Sequence, residues 1–482
     1  MRRPHLLPIV CAIVLQTACA SNESTPADAL VSVGRTLPDA VHAEGAVFRD
    51  GQGRQLLFRG YNIKVPGLFD VTFEDGRTAN EVIVPFTDED ASRVEQLGLN
   101  VVRLAINWSA LEPHPGEFST SFLENVEAIL GMARRHRFRV FFDLHQDAYS
   151  KEIGQDGAPL WAIVPPPKAL LQGPYDDGRR MSADVLNATF SFFDNKPATD
   201  GRLLQDAFSA AVVQLVRRYS ADPVVLGWEA FNEPFVLDHR TLDEFHARFA
   251  DAVHAVDSDA PVLFEPIATR NQSDKAIKPQ EPWAHGPGVY APHIYTAWFS
   301  RPDQGGWASE NPADLIASMQ AASEEAAAWG TPLFITEFGC DQNAERGPRW
   351  LAAELDLQDR FLASSTAWVW REAGSWGLSD NERKEHAATA TVMARVWPRA
   401  VAGDLLAIER SAPGHLLVRW RENDRARGLP HEIALPFACG AGCEIRCDGV
   451  SVPFTPSTGS AEFTCPLGAG DRTFEVVGTP PL

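Results

Sequence analysis

The sequence predicts an α/β chain: a (β/α)8 TIM barrel followed by a small C-terminal antiparallel β-sandwich. Three observations carry this. Short apolar, β-branched runs alternate with longer amphipathic stretches up to about residue 400, the signature of βα units and a parallel sheet. Nearly every run ends in a polar or aromatic residue, as strands do at the active-site face of a barrel. Beyond residue 400 the pattern changes to short alternating runs separated by Gly, Pro and Asn.

The strand-like runs are LLFRGYNI (56–63), VVRLAI (101–106), VFFDLH (140–145), VVLGWEAF (224–231), VLFEP (262–266), GVYAPHIY (288–295), LFITEF (333–338) and TAWVW (366–370). Helical stretches such as 88–98, 121–136, 203–219, 241–256, 313–329 and 384–397 lie between and after them. Eight such units over residues 43–400 suit a barrel. A doubly wound open sheet is the runner-up, but no G-x-G-x-x-G follows the first run, so a nucleotide-binding version has no support. LLAIER, HLLVRW, HEIALPF, CEIRC, AEFTC and TFEVVG then mark the sandwich, residues 401–482.

Residues 1–20 carry Arg2 and Arg3, an apolar stretch from Leu6 to Leu15 and the small-residue site Ala18-Cys19-Ala20, the pattern of a secretory signal peptide. Secretion is therefore expected, with lipoprotein anchoring at Cys19 the less favoured alternative. Residues 21–42 read as a flexible N-terminal segment. Cys439, Cys443, Cys447 and Cys465 crowd into the sandwich, which in an exported chain favours two disulfides of undetermined connectivity over a zinc site. Cys340 reads as a buried small hydrophobe.

A formal net charge of −21 over 482 residues argues against nucleic acid and against electrostatic docking on anionic lipid. A monomer is expected, and no metal or organic cofactor is implied. The run ends gather Asn62, Lys64, Arg103, Asn107, Trp108, Asp143, His145, Asn232, Glu233, Glu265, His293, Tyr295, Glu337 and Trp370. Glycosidic hydrolysis needs one carboxylic acid to protonate the leaving oxygen and one carboxylate to attack carbon or activate water. Glu233 after the fourth run and Glu337 after the seventh fit best; facing each other across a barrel mouth, they would reach the roughly 5–5.5 Å spacing of a retaining enzyme. Asn232 would bond the sugar 2-hydroxyl, and Tyr295 would hold Glu337 ionised. Glu233 would then carry a raised pKa from its carboxylate neighbour. Glu112, Asp147, Glu152, Glu229 and Glu265 compete for these roles; Glu229 also suits a core pairing with Arg103, and Glu265 is the strongest rival. Singly, a glutamate at a strand end is usually a solvated terminus and a lone histidine a core residue. It is their gathering on one rim that points to chemistry.

Asn232-Glu233-Pro234, His293-Ile294-Tyr295, Glu337-Phe338-Gly339, Arg103 and Trp370 together resemble glycoside hydrolase family 5. Within it, DLHQDAYS (143–150) followed by a long loop resembles the endoglycoceramidases. The resemblance implies a secreted retaining endo-β-glycosidase that cuts between oligosaccharide and ceramide of glycosphingolipids by double displacement. It assigns Glu233 as acid/base and Glu337 as nucleophile. Lys64, Arg103, Asp143, His145, Asn232, His293, Tyr295 and Trp370 would bind substrate. Three apolar loops add a lipid-facing expectation, with transient contact to a membrane or micelle: VPGLFDVTF (65–73), PLWAIVPPPKALLQGP (159–174) with Trp161 and Leu171, and YTAWFS (295–300) with Trp298 and Phe299. The competing view has these loops packing on one another as lids. The alternative functions are another family 5 β-glycosidase, endoglucanase-like or specific for simple glycosylceramides, and a glycolipid-binding protein without activity.

Overall fold

The computed structural model describes residues 40–66, 82–171, 177–273, 275–276, 279, 281–295, 312–412, 414–436 and 443–478. Eight parallel strands form the barrel: β1 Arg59–Lys64, β2 Val101–Ile106, β3 Arg139–Leu144, β4 Val225–Glu229, β5 Val262–Phe264, β6 Gly288–Tyr290 with His293–Ile294, β7 Phe334–Phe338 and β8 Ser364–Ala367. β8 pairs with β1, and both parts of β6 meet the β7 edge, so the sheet closes. β6 is broken at Ala291-Pro292, where proline has no N–H to give the ladder.

Each expected helix forms, with shifted ends: Asp88–Gln96, Thr120–His136, Leu204–Tyr219, His239–His254, Pro312–Trp329 and Ala387–Met393. The side chains of Ser119 and Asp238 cap the second and fourth, accepting from the Phe122 and Thr241 amides. Gly347–Arg360 supplies the helix between β7 and β8, and Ala183–Phe193 forms inside the long segment after β3.

The barrel interior is divided by height. Val101, Phe141, Leu226, Leu263, Val289 and Phe334 fill the lower layer and are closed from below by Val41, Phe48 and Leu56. Above that layer the inward positions turn polar. The register places Arg103 beside Asn62, Asp143 beside Glu229, and His293 beside Glu337.

Two antiparallel sheets follow, and here the structure departs from the expected boundaries. The seven-stranded sheet joins Val41–Glu44, Val47–Asp50 and Gln55–Leu56 to Trp397–Val401, then to His431–Ala434, Ser460–Phe463 and Phe454–Ser457. Residues 41–56, read as the flexible segment and the barrel's start, therefore pair with the sandwich. The stretch 384–397, read as one helix, ends in strand at Trp397. The five-stranded sheet carries Asp404–Ala412, His415–Arg421, Asp471–Val477, Glu444–Cys447 and Val450–Val452. Cys447 and Cys465 are disulfide-bonded, Cys443 is also in a disulfide, and Cys340 is free and buried. Cys439 lies outside the described residues, as do residues 1–39. Among the described residues no helix is long and apolar enough to cross a membrane.

Candidate active site

The site is organised around Arg103, fully buried on β2. Its guanidinium donates to Glu229 at 2.5 Å, to Glu337 at 2.5 Å, to Asn62 at 2.8 Å and to Asn232 at 2.9 Å. Asp143 lies 3.1 Å and Glu265 3.6 Å from the same group. Burial alone would lower the pKa of Arg103, but Asp143, Glu229, Glu337 and Glu265 outweigh it and hold the cation firmly charged. One cation serves four carboxylates, so not all of them can ionise easily. Burial, reinforced by Glu229, pushes Glu265 well above the usual carboxylate range.

Glu337 ends β7 with one oxygen on Arg103 and the other accepting the Tyr295 hydroxyl at 2.8 Å. Gly339 follows because a β-carbon there would meet the Trp368 carbonyl at 2.6 Å. Glu233 lies four residues past the end of β4, in the left-handed region at φ 45°. That conformation is costly for a residue with a β-carbon and needs support from its surroundings. Gln146 donates to the carbonyl of Asn232 at 2.7 Å, and the Glu233 amide donates to Glu265 at 3.2 Å. Glu233 Oε1 accepts Asn271 at 2.7 Å and meets His293 Nδ1 at 2.9 Å, while Oε2 lies 3.7 Å from Arg180.

An oxygen of Glu233, an oxygen of Glu337 and a ring nitrogen of His293 all lie within 4.8 Å of one another. Glu229, Glu265 and His293 form a second such group. Both are tight enough for a cation, although the sequence pattern suggested no ligand cluster. Arginine already reaches both groups: Arg103 lies against Glu229, Glu265 and Glu337, and Arg180 against Glu233.

The family model for cellulase (glycosyl hydrolase family 5) matches residues 61–374, which include this whole arrangement. The chain belongs to glycosyl hydrolase family 5. It is a glycosidase of that family. It is 26% identical over 452 residues to endoglycoceramidase I of Rhodococcus hoagii, covering 86% of this chain and 84% of the relative. It is also 26% identical over 243 residues to a glucosylceramidase of Aspergillus fumigatus, but that match spans only 32% of the relative and 40% of this chain. In fold it resembles endo-glycoceramidase II from Rhodococcus sp. in its ganglioside GM3 complex, with a TM-score of 0.75 at 22% identity, covering 91% of this chain and all of the other.

Around the family 5 core, Asp143 is ion-paired with Arg103 at 3.1 Å and contacts His145 Nδ1 at 2.6 Å. Burial lowers the pKa of His145, yet Asp143 and Asp147 reverse that and keep the ring protonated. Elsewhere in DLHQDAYS, Gln146 braces the β4 end, Tyr149 donates to the Ala162 carbonyl and Ser150 to that of Ala158. Lys64 pairs with Glu372 at 3.3 Å and lies over the Trp368 ring. The competing acids Glu112 and Glu152 are buried on the loops after β2 and β3; Glu112 accepts Trp108 and Arg202.

Three expectations need correction. Trp370 is not at the carboxylates: it is buried against Tyr61 and Phe86, donating to Asp90 at 3.2 Å. Trp368 stands at the site instead, half-exposed and stacked on His145 at 5.2 Å. Strand β8 ends at Ala367, so Trp370 is not the strand end that the run TAWVW suggested, and Trp368 is the first residue past the strand. Second, Trp161 and Leu171 are buried rather than lipid-facing. Trp161 packs edge-on against Trp108 and donates to the Glu112 carbonyl, and Leu171 is 3% exposed. Trp298, Phe299 and the apolar residues Leu68, Phe69 and Phe73 lie outside the described residues. Third, Glu233 is not held high. Burial pushes it up, but the hydrogen bond from His293 and the charges of His293 and Arg180 bring it below the ordinary value.

Asn271, Arg180 and Trp368 were missed by the sequence reading. None ends a strand, so periodicity gave them no signal; only the doubled tryptophan of WVW hinted at the last.

Proposed function

We propose that this family 5 hydrolase cleaves glycosphingolipids between oligosaccharide and ceramide, by a retaining double displacement. The carrying observation is the approach of Glu233 and Glu337 within 4.8 Å through their oxygens. That spacing favours direct attack on the anomeric carbon, since inverting enzymes hold their carboxyls roughly 6.5–9.5 Å apart to admit a water. Glu337, fixed by Arg103 and Tyr295, acts as nucleophile, and Glu233 as acid and then base. Asn232, Asp143, His145, Lys64 and Trp368 line the sugar slot.

Similarity to an endoglycoceramidase along most of both chains supports the glycolipid substrate. So do exposed apolar side chains on the segments that carry Glu233 and Arg180. Met181 follows Arg180 and is 63% exposed, Leu237 is 80% exposed, and the half-buried rings of Phe190 and Phe235 stack at 6.4 Å. These side chains take the role that the sequence reading gave to Trp161 and Leu171. The Cys447–Cys465 disulfide supports export, because such bonds persist in oxidising compartments. Relatives named glucosylceramidase support a second reading, a glycosidase for simple glycosylceramides.

Glu337→Gln tests the assignment: turnover should vanish while glycolipid binding survives. Near-normal turnover in that variant contradicts the nucleophile.

A further inference from the structure

The acid/base carboxylate has two unlike oxygens. Oε1 is occupied by the Asn271 amide and the His293 ring. A proton for the leaving group therefore has to reside on Oε2. The group beside Oε2 is a cation, Arg180, at 3.7 Å. A positive charge that close favours the ionised carboxylate over the protonated one, so the arrangement suits the base and opposes the acid.

Arg180 has a second partner. It belongs to the short 3₁₀ turn Asp177–Met181 after β3 and also pairs with Asp147. Asp147 is well anchored: His145 Nε2 lies 3.5 Å from its carboxylate, and its amide donates to the buried Asp156. The Arg180 side chain is 40% exposed, whereas that of Asp147 is 11% exposed. A half-exposed arginine leaves one partner at little cost while the other holds it.

We propose that Arg180 is a positioning residue that selects the protonation state of Glu233, pairing with Oε2 while the leaving-group site is empty and withdrawing to Asp147 when an aglycone enters. The inference rests on Glu233 being the acid/base. When the aglycone enters and Arg180 withdraws, Oε2 takes up a proton from solvent and passes it to the glycosidic oxygen as that C–O bond breaks and Glu337 forms its ester to the sugar. Once the aglycone leaves, Arg180 returns and Glu233 is an anion. Water then attacks the ester carbon, gives its proton to Oε2 and releases Glu337. The other groups facing Glu233 are Asn271, His293, Glu265 at its amide, Glu337 across the slot and Asp147 on the loop. Arg180 is the exposed one among these cations, with its side chain 40% exposed and a second carboxylate, Asp147, to hold it.

The test is the pH dependence of kcat/KM for wild type, Arg180→Gln and Arg180→Lys. Two substrates are needed: a phenyl glycoside, whose leaving group requires a proton, and a 2,4-dinitrophenyl glycoside, whose leaving group does not. On the phenyl substrate the alkaline limb reports the free enzyme's acid. Loss of the neighbouring cation should move that limb upward by about one pH unit in Arg180→Gln, with Arg180→Lys staying near wild type. On the dinitrophenyl substrate the three profiles should coincide. An unmoved limb in Arg180→Gln, or equal displacement in both variants, overturns the inference. Glu233→Ala with azide separates the underlying assignment. Formation of a glycosyl azide upholds Glu233 as acid/base whatever Arg180 does, and its absence removes both claims.

Discussion

At the residue scale, chemistry was legible wherever a polar side chain closed an apolar run. Glu337, Asn232 and Asp143 contact Arg103, His293 lies between Glu337 and Glu233, His145 pairs with Asp143, and Tyr295 bonds Glu337. Glu229 is the core partner of Arg103 rather than a rival acid. What the sequence could not carry was orientation beyond a strand's end, and Trp368 against Trp370 is the clearest case. The two should fail differently. Trp368→Ala removes a half-exposed aromatic ring beside His145 and should raise KM about tenfold with the fold intact. Trp370→Phe loses the bond to buried Asp90 and should lower the melting temperature while KM stays close to wild type. Steady-state kinetics with thermal melts separate them; a KM effect in Trp370→Phe alone would reverse the assignment.

At the element scale, seven strands were readable because their runs are rich in buried apolar and β-branched residues; the eighth, Ser364–Ala367, is small and polar and lies mostly ahead of the expected run 366–370. Helix Ala183–Phe193 was not, since it sits in a segment whose prolines and glycines dominated the reading. Phe190 of that helix stacks on Phe235 of the loop after β4, and the exposed Met181 and Leu237 lie on the segments next to them in sequence, a set that no single stretch of sequence displays. Exposed apolar side chains contribute to binding only when a lipid covers them. Met181→Ser and Leu237→Ser should therefore reduce kcat/KM on glycolipid by roughly tenfold each and hardly alter a short soluble aryl glycoside. Both side chains are exposed, so folding should tolerate the changes. Equal losses on the two substrates would count against an aglycone role for these side chains.

At the scale of the whole molecule, the hidden feature was the pairing of residues 41–56 with Trp397–Val401. Sheets assembled from segments far apart in sequence leave no local pattern, so the barrel's lower cap was invisible until folded. A buried ion triad ties barrel to sandwich. Asp359, near the end of helix Gly347–Arg360, bonds Arg59 of β1 at 2.7 Å and Arg410 of strand Asp404–Ala412 at 2.9 Å. Burial opposes the charge of both partners: Arg59 is lowered to about 10, and Asp359 stays ionised because the two arginines outweigh its desolvation. Asp359→Asn strands two buried cations and should cost about 3–5 kcal/mol in denaturant unfolding; a loss under about 1 kcal/mol would show that the triad does not join the two parts.

The most direct measurement is mass spectrometry of the products formed from a panel of glycosphingolipids and soluble β-glucans. Release of an intact oligosaccharide together with ceramide is the predicted result. Hydrolysis of the soluble glucans with no cleavage of any glycolipid would contradict the account.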